Sequence, residues 1–340
     1  MVIPQVSVLI PVYNAEATIK EALLSICSQS LPNIEIIVVD DGSEDASGHL
    51  LNQLTANDNR IRATQTNHLG LIPALNTGLK LCRAPYIARM DADDVAHPLR
   101  LEKQLLMFEN NPELDVIGSK VESFPPENVG IGFQIYIDWQ NRLIKHEDIV
   151  REMFIESPIT HPTACIRKEL LEKNGGYQDR GWPEDYDLWL RLAAMGARFA
   201  KVNEVLLYWR EHENRLTRTD GRYSIENFLR AKAHYLVAGR LQKNDNVFVW
   251  GAGKTGRRFS KHLIREGCTP SAFVDIDNAK IGNTLRRIPI VSAIEFFDRW
   301  NCCKKPILLV AVASRGARTK IRIALRRRGL KEGCDYLNVA

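Results

Sequence analysis

Residues 6–43 read VSVLIPVYNAEATIKEALLSICSQSLPNIEIIVVDDGS, and this stretch decides the fold. Its two short apolar runs, 6–12 and 34–39, are rich in β-branched residues and predict buried strands. Between these runs, apolar side chains recur at helical spacing from Ile19 to Cys27, which predicts an amphipathic helix. A strand, a helix and a second strand in this order predict a right-handed βαβ unit with parallel strands.

The same alternation continues along the chain. Further strands are predicted at 61–66, 85–90, 198–202 and 205–210. Further helices are predicted at 46–56, 72–82, 98–108, 146–155, 167–174 and 183–195, and a helix of about 20 residues ends at Leu241. Residues 111–145 show no period, so they are predicted to be irregular.

A second alternating unit begins at residue 247. The strand VFVW is followed by the turn GAGKTG, a helix, and the strand SAFVD at 271–275. We therefore expect an α/β chain in which a mostly parallel central sheet precedes a smaller Rossmann-like α/β domain. The predicted boundaries are a first domain at 1–215, a helical connector and linker at 216–246, and a second domain at 247–340.

The composition excludes several classes of protein. The chain has 340 residues, 45% hydrophobic and 26% charged, as in folded domains and unlike disordered chains or coiled coils. A net charge of +5 permits an anionic ligand without requiring nucleic acid. The seven cysteines lack zinc-site spacing. No apolar run approaches the roughly 20 residues of a membrane span, so we expect a cytoplasmic protein and leave open a peripheral contact with the inner face of the membrane.

Polar or aromatic residues end three of the predicted strands, and two of these strands end in acids. The first strand ends in PVYN at 11–14, the second in Asp40 and Asp41, and the fourth in DADD at 91–94. Because ligands of open α/β sheets gather at the carboxyl ends of strands, these carboxylates are expected at one edge. Such a cluster is unfavourable unless a cation or hydrogen-bond donors compensate it, and its oxygen ligands suit Mg²⁺ or Mn²⁺. We interpret Asp94 and Asp45 as turn or helix-capping residues.

Three motifs together resemble a known family. The stretch quoted above, then YIARMDADDVAHPLRLEKQ at 86–104, then WPEDYDLWLRL at 182–192 are similar to family 2 glycosyltransferases of the GT-A fold. The resemblance covers roughly residues 4–212. It implies an enzyme that transfers a sugar from a nucleotide-sugar donor.

The resemblance also implies the residues of a donor site. Those that would contact the nucleotide-sugar are Pro11, Tyr13, Asn14, Asp41, Asn67, Arg89, Asp91, Ala92 and His161. Tyr13 would lie against the base, and Asp41 would accept a hydrogen bond from uracil. Asp93 would bind the metal, with Asp91 beside it. Gly70 and Asn76 fall in the same segment as Asn67, and for His161 a structural role is equally open.

WPEDYDLWL carries the acid pair. Pro183 suits the first turn of a helix, so Glu184 and Asp185 are expected at the positive end of its dipole, which favours ionised carboxylates. The resemblance implies that Asp185 is the catalytic base and that Glu184 holds substrate. Asp187 is interpreted as structural.

The turn at 251–256 matches GxGxxG through Gly251, Gly253 and Gly256, and Asp275 ends the following strand. This context fits a nucleotide-binding loop. The three glycines are equally explained by a tight turn between strand and helix, so the ligand stays open.

The expected function is that of an inverting, metal-dependent glycosyltransferase. It would move a sugar from a UDP-sugar to a hydroxyl of a glycan or lipid-linked saccharide in cell-surface polysaccharide biosynthesis. The alternatives are a sugar-phosphate nucleotidyltransferase, an oxidoreductase using the second domain, and a regulatory protein with a degenerate transferase domain. Self-association into a homo-oligomer is left open.

Overall fold

The computed structural model describes residues 3–314 and 316–340, and the chain divides into two compact units. The first unit comprises Met1–Ile149, Pro158–Arg180 and Asp187–Thr219, and the second comprises Val150–Ser157, Gly181–Tyr186 and Asp220–Ala340. The first two residues of the predicted first domain lie outside the described residues. The domain boundaries at 215 and 246 stay a prediction.

The first unit is built on an eight-stranded sheet. Its strands are β1 (Val6–Val12), β2 (Ile34–Asp40), β3 (Ile61–Gln65), β4 (Tyr86–Arg89), β5 (Val95–Ala96), β6 (Val116–Phe124), β7 (Cys165–Arg167) and β8 (Phe199–Arg210). They lie in the order β3-β2-β1-β4-β7-β6-β8-β5. The pairs β1–β2, β2–β3, β1–β4 and β6–β8 are parallel, while β7 pairs antiparallel with β4 and β6. The predicted α/β class with a mostly parallel central sheet is confirmed.

Helices cover this sheet. Those up to residue 219 are α1 (Ile19–Cys27), α2 (Ser47–Asn57), α3 (Leu71–Leu81), α4 (Arg100–Asn110), α5 (Ile131–Asn141), α6 (His146–Glu152), α7 (Lys168–Lys173), α8 (Glu184–Ala194) and α9 (Leu216–Thr219). The apolar face predicted for α1 is buried against the core, with Ile19, Leu23 and Ile26 fully enclosed. The short connections of the βαβ units therefore hold the carboxyl ends of β1, β2 and β4 at one edge.

The prediction of irregular chain at 111–145 is wrong. This region holds β6 and α5. Gly118 and Lys120 interrupt the apolar pattern of β6, and the strand forms because its whole length pairs with β8. In α5 the isoleucines do not share one buried face, since Ile137 is buried and Ile131 is 79% exposed. The helix therefore lacks the single apolar stripe that a periodicity argument needs.

Two other predicted elements also differ. The strands expected at 198–202 and 205–210 are one strand, β8, whose pairing with β6 shifts register between Ser119 and Val121. The long helix expected before Leu241 is shorter. It is α10 (Ile225–Tyr235), and a π-helical turn at Leu236–Arg240 follows it.

The second unit contains a six-stranded sheet. Its strands are β9 (Asn246–Trp250), β10 (Ala272–Val274), β11 (Thr284–Leu285), β12 (Ile288–Val291), β13 (Pro306–Val310) and β14 (Tyr336–Asn338), in the order β11-β12-β10-β9-β13-β14. The helices that follow β9, β12 and β13 are α11 (Lys254–Arg265), α12 (Ala293–Asn301) and α13 (Ala317–Arg327). All pairs except β11–β12 are parallel, which gives the doubly wound arrangement of a Rossmann-like sheet.

Helix α10 contributes to the core of the second unit. Its Leu229 and Ala233, with Leu236 of the π-helical turn, pack in the same apolar cluster as Val249 of β9 and Phe259 of α11. Among all the residues described, no helix is long and apolar enough to cross a membrane.

Candidate functional site

The edge where β1, β2 and β4 end brings the predicted donor residues together. Val12 pairs with Asp40 on one side of β1, and Leu9 pairs with Arg89 on the other. Tyr13, Asp41 and the DADD segment therefore leave the sheet side by side. The register of the three parallel strands places Tyr13, Asp41 and the DADD segment at the same edge of the sheet, as the sequence predicted.

Asp41 is buried and anchors the loop that follows β3. Its Oδ1 accepts a hydrogen bond from the Leu69 N–H at 3.0 Å, and its Oδ2 accepts one from the Gly70 N–H at 2.8 Å. Gly70 has a φ of +99°, a backbone conformation that glycine adopts without strain. Gly70 thus holds Asp41 in place within the predicted donor segment.

Tyr13 and His68 form a stacked pair beside Asp41. Their ring centroids are 4.0 Å apart and the rings are inclined by 19°. His68 Nδ1 also lies 3.0 Å from Asp41 Oδ2. Sequence reasoning missed His68, although it stands between Asn67 and Gly70, which the resemblance had already placed near the donor.

Asn14 shapes the turn after β1. It has a φ of +49°, which asparagine tolerates better than most residues. Its N–H donates to Ser43 Oγ, and its Oδ1 accepts from the Glu44 N–H. These contacts tie the turn carrying Tyr13 to the loop that follows Asp41.

The DADD segment forms a cluster of three carboxylates. One ligand oxygen each of Asp91, Asp93 and Asp94 lies within 4.8 Å of the others. Arg89 forms an ion pair with Asp91 at 2.5 Å, so its guanidinium is directed at this cluster, while a contact with the nucleotide-sugar stays a prediction. Asp91 and Asp93 are half-buried, whereas Asp94 is fully buried.

The interpretation of Asp94 as only a turn or helix-capping residue is wrong. Its Oδ1 accepts from the Arg210 N–H at 2.8 Å, but its buried Oδ2 has no hydrogen-bond partner among the described residues. Burial and the charges of Asp93 and Asp91 raise the pKa of Asp94 well above its usual range. Asp94 therefore resists ionisation, and a cation bound beside its Oδ2 would favour the charged carboxylate.

His212 completes this cluster and was also missed. Its Nε2 lies 2.8 Å from Asp93 Oδ2. Arg210, two residues earlier, donates from Nε to the Asp93 carbonyl at 2.7 Å and stacks on Phe124 at 4.3 Å. The only sequence signal was the polar run REHENR directly after the last strand of the sheet.

The other predicted residues of the first unit differ in placement. Pro11 is buried within β1, Ala92 is half-buried against the core, and Asn67 is exposed. His161 is buried, with Nε2 3.3 Å from the Tyr177 hydroxyl and its ring edge-on to Trp189. These contacts would suffice for a structural role for His161, while a contact with donor stays a prediction.

Two more side chains have structural contacts. Both polar ends of the Asn76 amide bond the backbone of Tyr177, at 2.8 and 2.9 Å. Asp187 is buried and paired with Arg191, which in turn donates to the carbonyls of Asn174 and Gly176. The chain uses both residues to fasten the turn at 174–176.

The acid pair of the WPEDYDLWL motif lies in the second unit, at the start of α8. Glu184 is 2% exposed, and its Oε2 accepts a 2.7 Å hydrogen bond from the hydroxyl of Tyr223. Asp185 is half-buried, and its Oδ1 accepts from the Tyr186 N–H at 2.7 Å. Glu184 and Asp185 are thus two adjacent carboxylates in a partly desolvated place.

The electrostatics of Asp185 differ from expectation. The sequence predicts that the helix N-terminus favours an ionised carboxylate. In the structure, desolvation and the neighbouring Glu184 charge raise the pKa of Asp185 well above its usual range. These two effects oppose ionisation of Asp185, so its position at the helix N-terminus does not by itself make it a readily ionised carboxylate.

The glycine loop of the second unit has a clear packing role. A Cβ on Gly256 would lie 1.8 Å from the Gly251 carbonyl oxygen, so only glycine allows this approach of helix to strand. Gly253 precedes the first residue of α11, and Asp275 Oδ2 accepts from the Ala252 N–H at 2.9 Å. Close packing accounts for the glycines, and nucleotide binding by this loop stays a prediction.

The sequence of this chain is similar to those of known glycosyltransferases. Residues 7–175 match the model of glycosyl transferase family 2. An uncharacterized glycosyltransferase of Haemophilus influenzae is 36% identical over 217 residues, which cover 62% of this chain and 67% of that protein. The amylovoran biosynthesis glycosyltransferase AmsE of Erwinia amylovora is 33% identical over 205 residues, covering 59% and 74%.

The fold agrees as well. The crystal structure of S. aureus TarS 1-349 in complex with UDP-GlcNAc superposes with a TM-score of 0.57 at 20% identity, covering 77% of this chain and 72% of that one. The chain is therefore a glycosyltransferase of the GT-A fold. It belongs to glycosyltransferase family 2. This membership confirms the enzyme class that the motifs predicted, over a nucleotidyltransferase or an oxidoreductase.

Proposed function

We propose that this glycosyltransferase is an inverting, metal-dependent enzyme. It transfers a sugar from a UDP-sugar to a hydroxyl group of a glycan or lipid-linked saccharide. The observation that carries this proposal is the shared edge of β1, β2 and β4. There an aromatic ring, a buried carboxylate and a cluster of three acids stand next to one another.

The base of the donor is assigned to Tyr13 and Asp41. A ring at the end of β1 offers a stacking face, and a buried carboxylate beside it accepts the imide N–H of uracil. The same carboxylate would leave the acceptor face of cytosine unsatisfied. The GT-A relative TarS, crystallised with UDP-GlcNAc, supports a uridine donor.

The metal is assigned to Asp91, Asp93, Asp94 and His212. Three carboxylates and one imidazole suit Mg²⁺ or Mn²⁺, and the buried, unpartnered Oδ2 of Asp94 fits a cationic ligand. A divalent ion bound there would stabilise the charge that develops on the departing diphosphate. Arg89 holds Asp91 in orientation through its ion pair.

The chemistry of the acceptor is assigned to Asp185. Its carboxylate removes the proton of the acceptor hydroxyl, whose oxygen attacks C1 of the sugar as the bond from C1 to the diphosphate oxygen breaks. A single displacement inverts the configuration at C1. The raised pKa of Asp185 suits a base that must keep the proton it takes.

The acceptor class follows from the relatives. AmsE is named for amylovoran biosynthesis, and we extend cell-surface polysaccharide assembly to this chain on that basis. If the acceptor is lipid-linked, the protein would act at the inner face of the membrane.

A donor panel tests the proposal. The full-length protein is incubated with UDP-, GDP- and dTDP-sugars with Mn²⁺ or with EDTA, and release of each nucleoside diphosphate is measured. We expect metal-dependent release from a UDP-sugar, enhanced by a saccharide acceptor. Release from a GDP-sugar alone, or release unaffected by EDTA, would contradict the donor or the metal assignment respectively.

A further inference from the structure

His68 occupies the position that the proposed donor would need for its base. Its ring lies on Tyr13 at 4.0 Å, the stacking distance of a nucleobase. Its Nδ1 bonds the Asp41 carbonyl oxygen at 3.1 Å and stands 3.0 Å from Asp41 Oδ2. Because both oxygens only accept, the ring N–H is the donor and points at Asp41. The imidazole thus stacks on Tyr13 and directs an N–H at Asp41, as uracil would.

We propose that His68 is an internal stand-in for the uracil base, which the donor must displace from Tyr13 and Asp41. This inference rests on the proposed function. It assigns to His68 a role in setting donor affinity: the fraction of molecules with the histidine displaced is the fraction able to bind.

The surrounding loop allows the side chain to move while the backbone stays fixed. The N–H groups of Leu69 and Gly70 are held by Asp41, and a Cβ on Gly42 would lie only 2.9 Å from the His68 nitrogen. The backbone around His68 is therefore closely constrained. The His68 side chain itself is 54% exposed, so its ring has room to turn into solvent when it gives up its contact with the buried Asp41.

Competition between His68 and the donor base predicts the sign of the change in donor affinity when His68 is removed. A residue that formed a wall of the base pocket would add affinity, and its removal would weaken binding. A residue that occupies the pocket subtracts affinity, and its removal strengthens binding. The sign of the change in donor affinity therefore separates the two roles.

The experiment measures calorimetric affinities of the full-length protein and of His68→Ala for three probes: UDP with Mn²⁺, uridine, and pyrophosphate with Mn²⁺. We expect His68→Ala to bind UDP and uridine about three- to thirtyfold more tightly, by the same factor for both. Pyrophosphate affinity should not change, because that probe has no base. His49→Ala, an exposed histidine of α2, is the matched control and should bind all probes as the parent does.

Unchanged or weaker uridine binding by His68→Ala would overturn the inference. Tighter pyrophosphate binding would also overturn it, since the effect would not be at the base. If the parent and both variants bound pyrophosphate but neither UDP nor uridine, the proposal of a uridine donor would be wrong. This result is distinguishable from one in which uridine binds and only the role of His68 is refuted.

Discussion

The hydroxyl of Tyr223 donates a hydrogen bond to Glu184 Oε2 at 2.7 Å, across 39 residues of sequence. Burial and the charges of Glu184 and Asp185 raise the pKa of Tyr223 well above its usual range, so the phenol remains a donor. The chain thus fixes the first acid of its WPEDYDLWL motif with a residue from the segment before α10. We infer that Tyr223 positions Glu184.

Tyr223→Phe should lower kcat by about tenfold, because one hydrogen bond to a carboxylate contributes roughly 1.5–3 kcal/mol and only part of it is specific to the transition state. The affinity for UDP should stay as in the parent. Steady-state kinetics and calorimetry measure the two. Tyr208→Phe on β8 is the control, and an equal loss of UDP affinity in Tyr223→Phe would speak against a positioning role.

Asp185→Asn should keep the affinity for UDP and lose turnover by about 10²- to 10⁴-fold, the usual contribution of a positioned general base. Asparagine retains the shape of the side chain but cannot take the acceptor proton. Single-turnover sugar transfer is the measurement. If Asp185→Asn turned over normally and Glu184→Gln did not, Glu184 would be the base.

The pH profile of kcat follows from the raised pKa of Asp185. A base acts only when ionised, so activity should rise with pH through that pKa, above the usual range of about 3.9 for Asp. Glu184→Gln removes a neighbouring negative charge, which lowers the pKa of Asp185. The acid limb of the profile should then move to lower pH. If the acid limb did not move in Glu184→Gln, the charge of Glu184 would not be what raises the pKa of the catalytic base.

Asp94→Asn should stabilise the metal-free protein at pH 8 by roughly 1–2 kcal/mol, since it removes a buried carboxylate whose Oδ2 has no hydrogen-bond partner among the described residues. The folded pKa of Asp94 is raised, so the folded state binds more protons than the unfolded state and stability falls as pH rises. The gain should therefore vanish near pH 4. Denaturant unfolding in EDTA at both pH values measures the free energy of unfolding of the variant and the parent. A variant less stable than the parent at pH 8 would show that the ionised Asp94 does not destabilise the fold.

Asp93→Ala should remove the Mn²⁺ dependence of UDP binding, and His212→Ala should weaken it in the same direction. Asp93 Oδ2 and His212 Nε2 lie 2.8 Å apart, so both would lie beside the proposed metal. Calorimetric titration of UDP with and without Mn²⁺ is the measurement. His97→Ala serves as a control, because this histidine lies outside the cluster. If UDP binding by Asp93→Ala depended on Mn²⁺ as fully as binding by the parent, the assignment of the metal to this cluster would be wrong.

The sequence alone determined the α/β class, the first βαβ units and the meeting of Tyr13, Asp41, Asp91 and Asp93. These follow from local patterns: short β-branched runs make strands, and parallel strands place their following residues at one edge. The ordered motifs were sufficient to predict the enzyme class, which the family comparison confirmed.

Only the tertiary structure decided which further side chains contact the candidate residues. His68, His212 and Tyr223 are distant in sequence from Asp41, Asp93 and Glu184, and each pair is joined by chain folding rather than by spacing. The same holds for charge. Nothing in the letters DADD or PED distinguishes a solvated carboxylate from a buried one, because a pKa depends on the desolvation and neighbouring charges that the folded chain imposes.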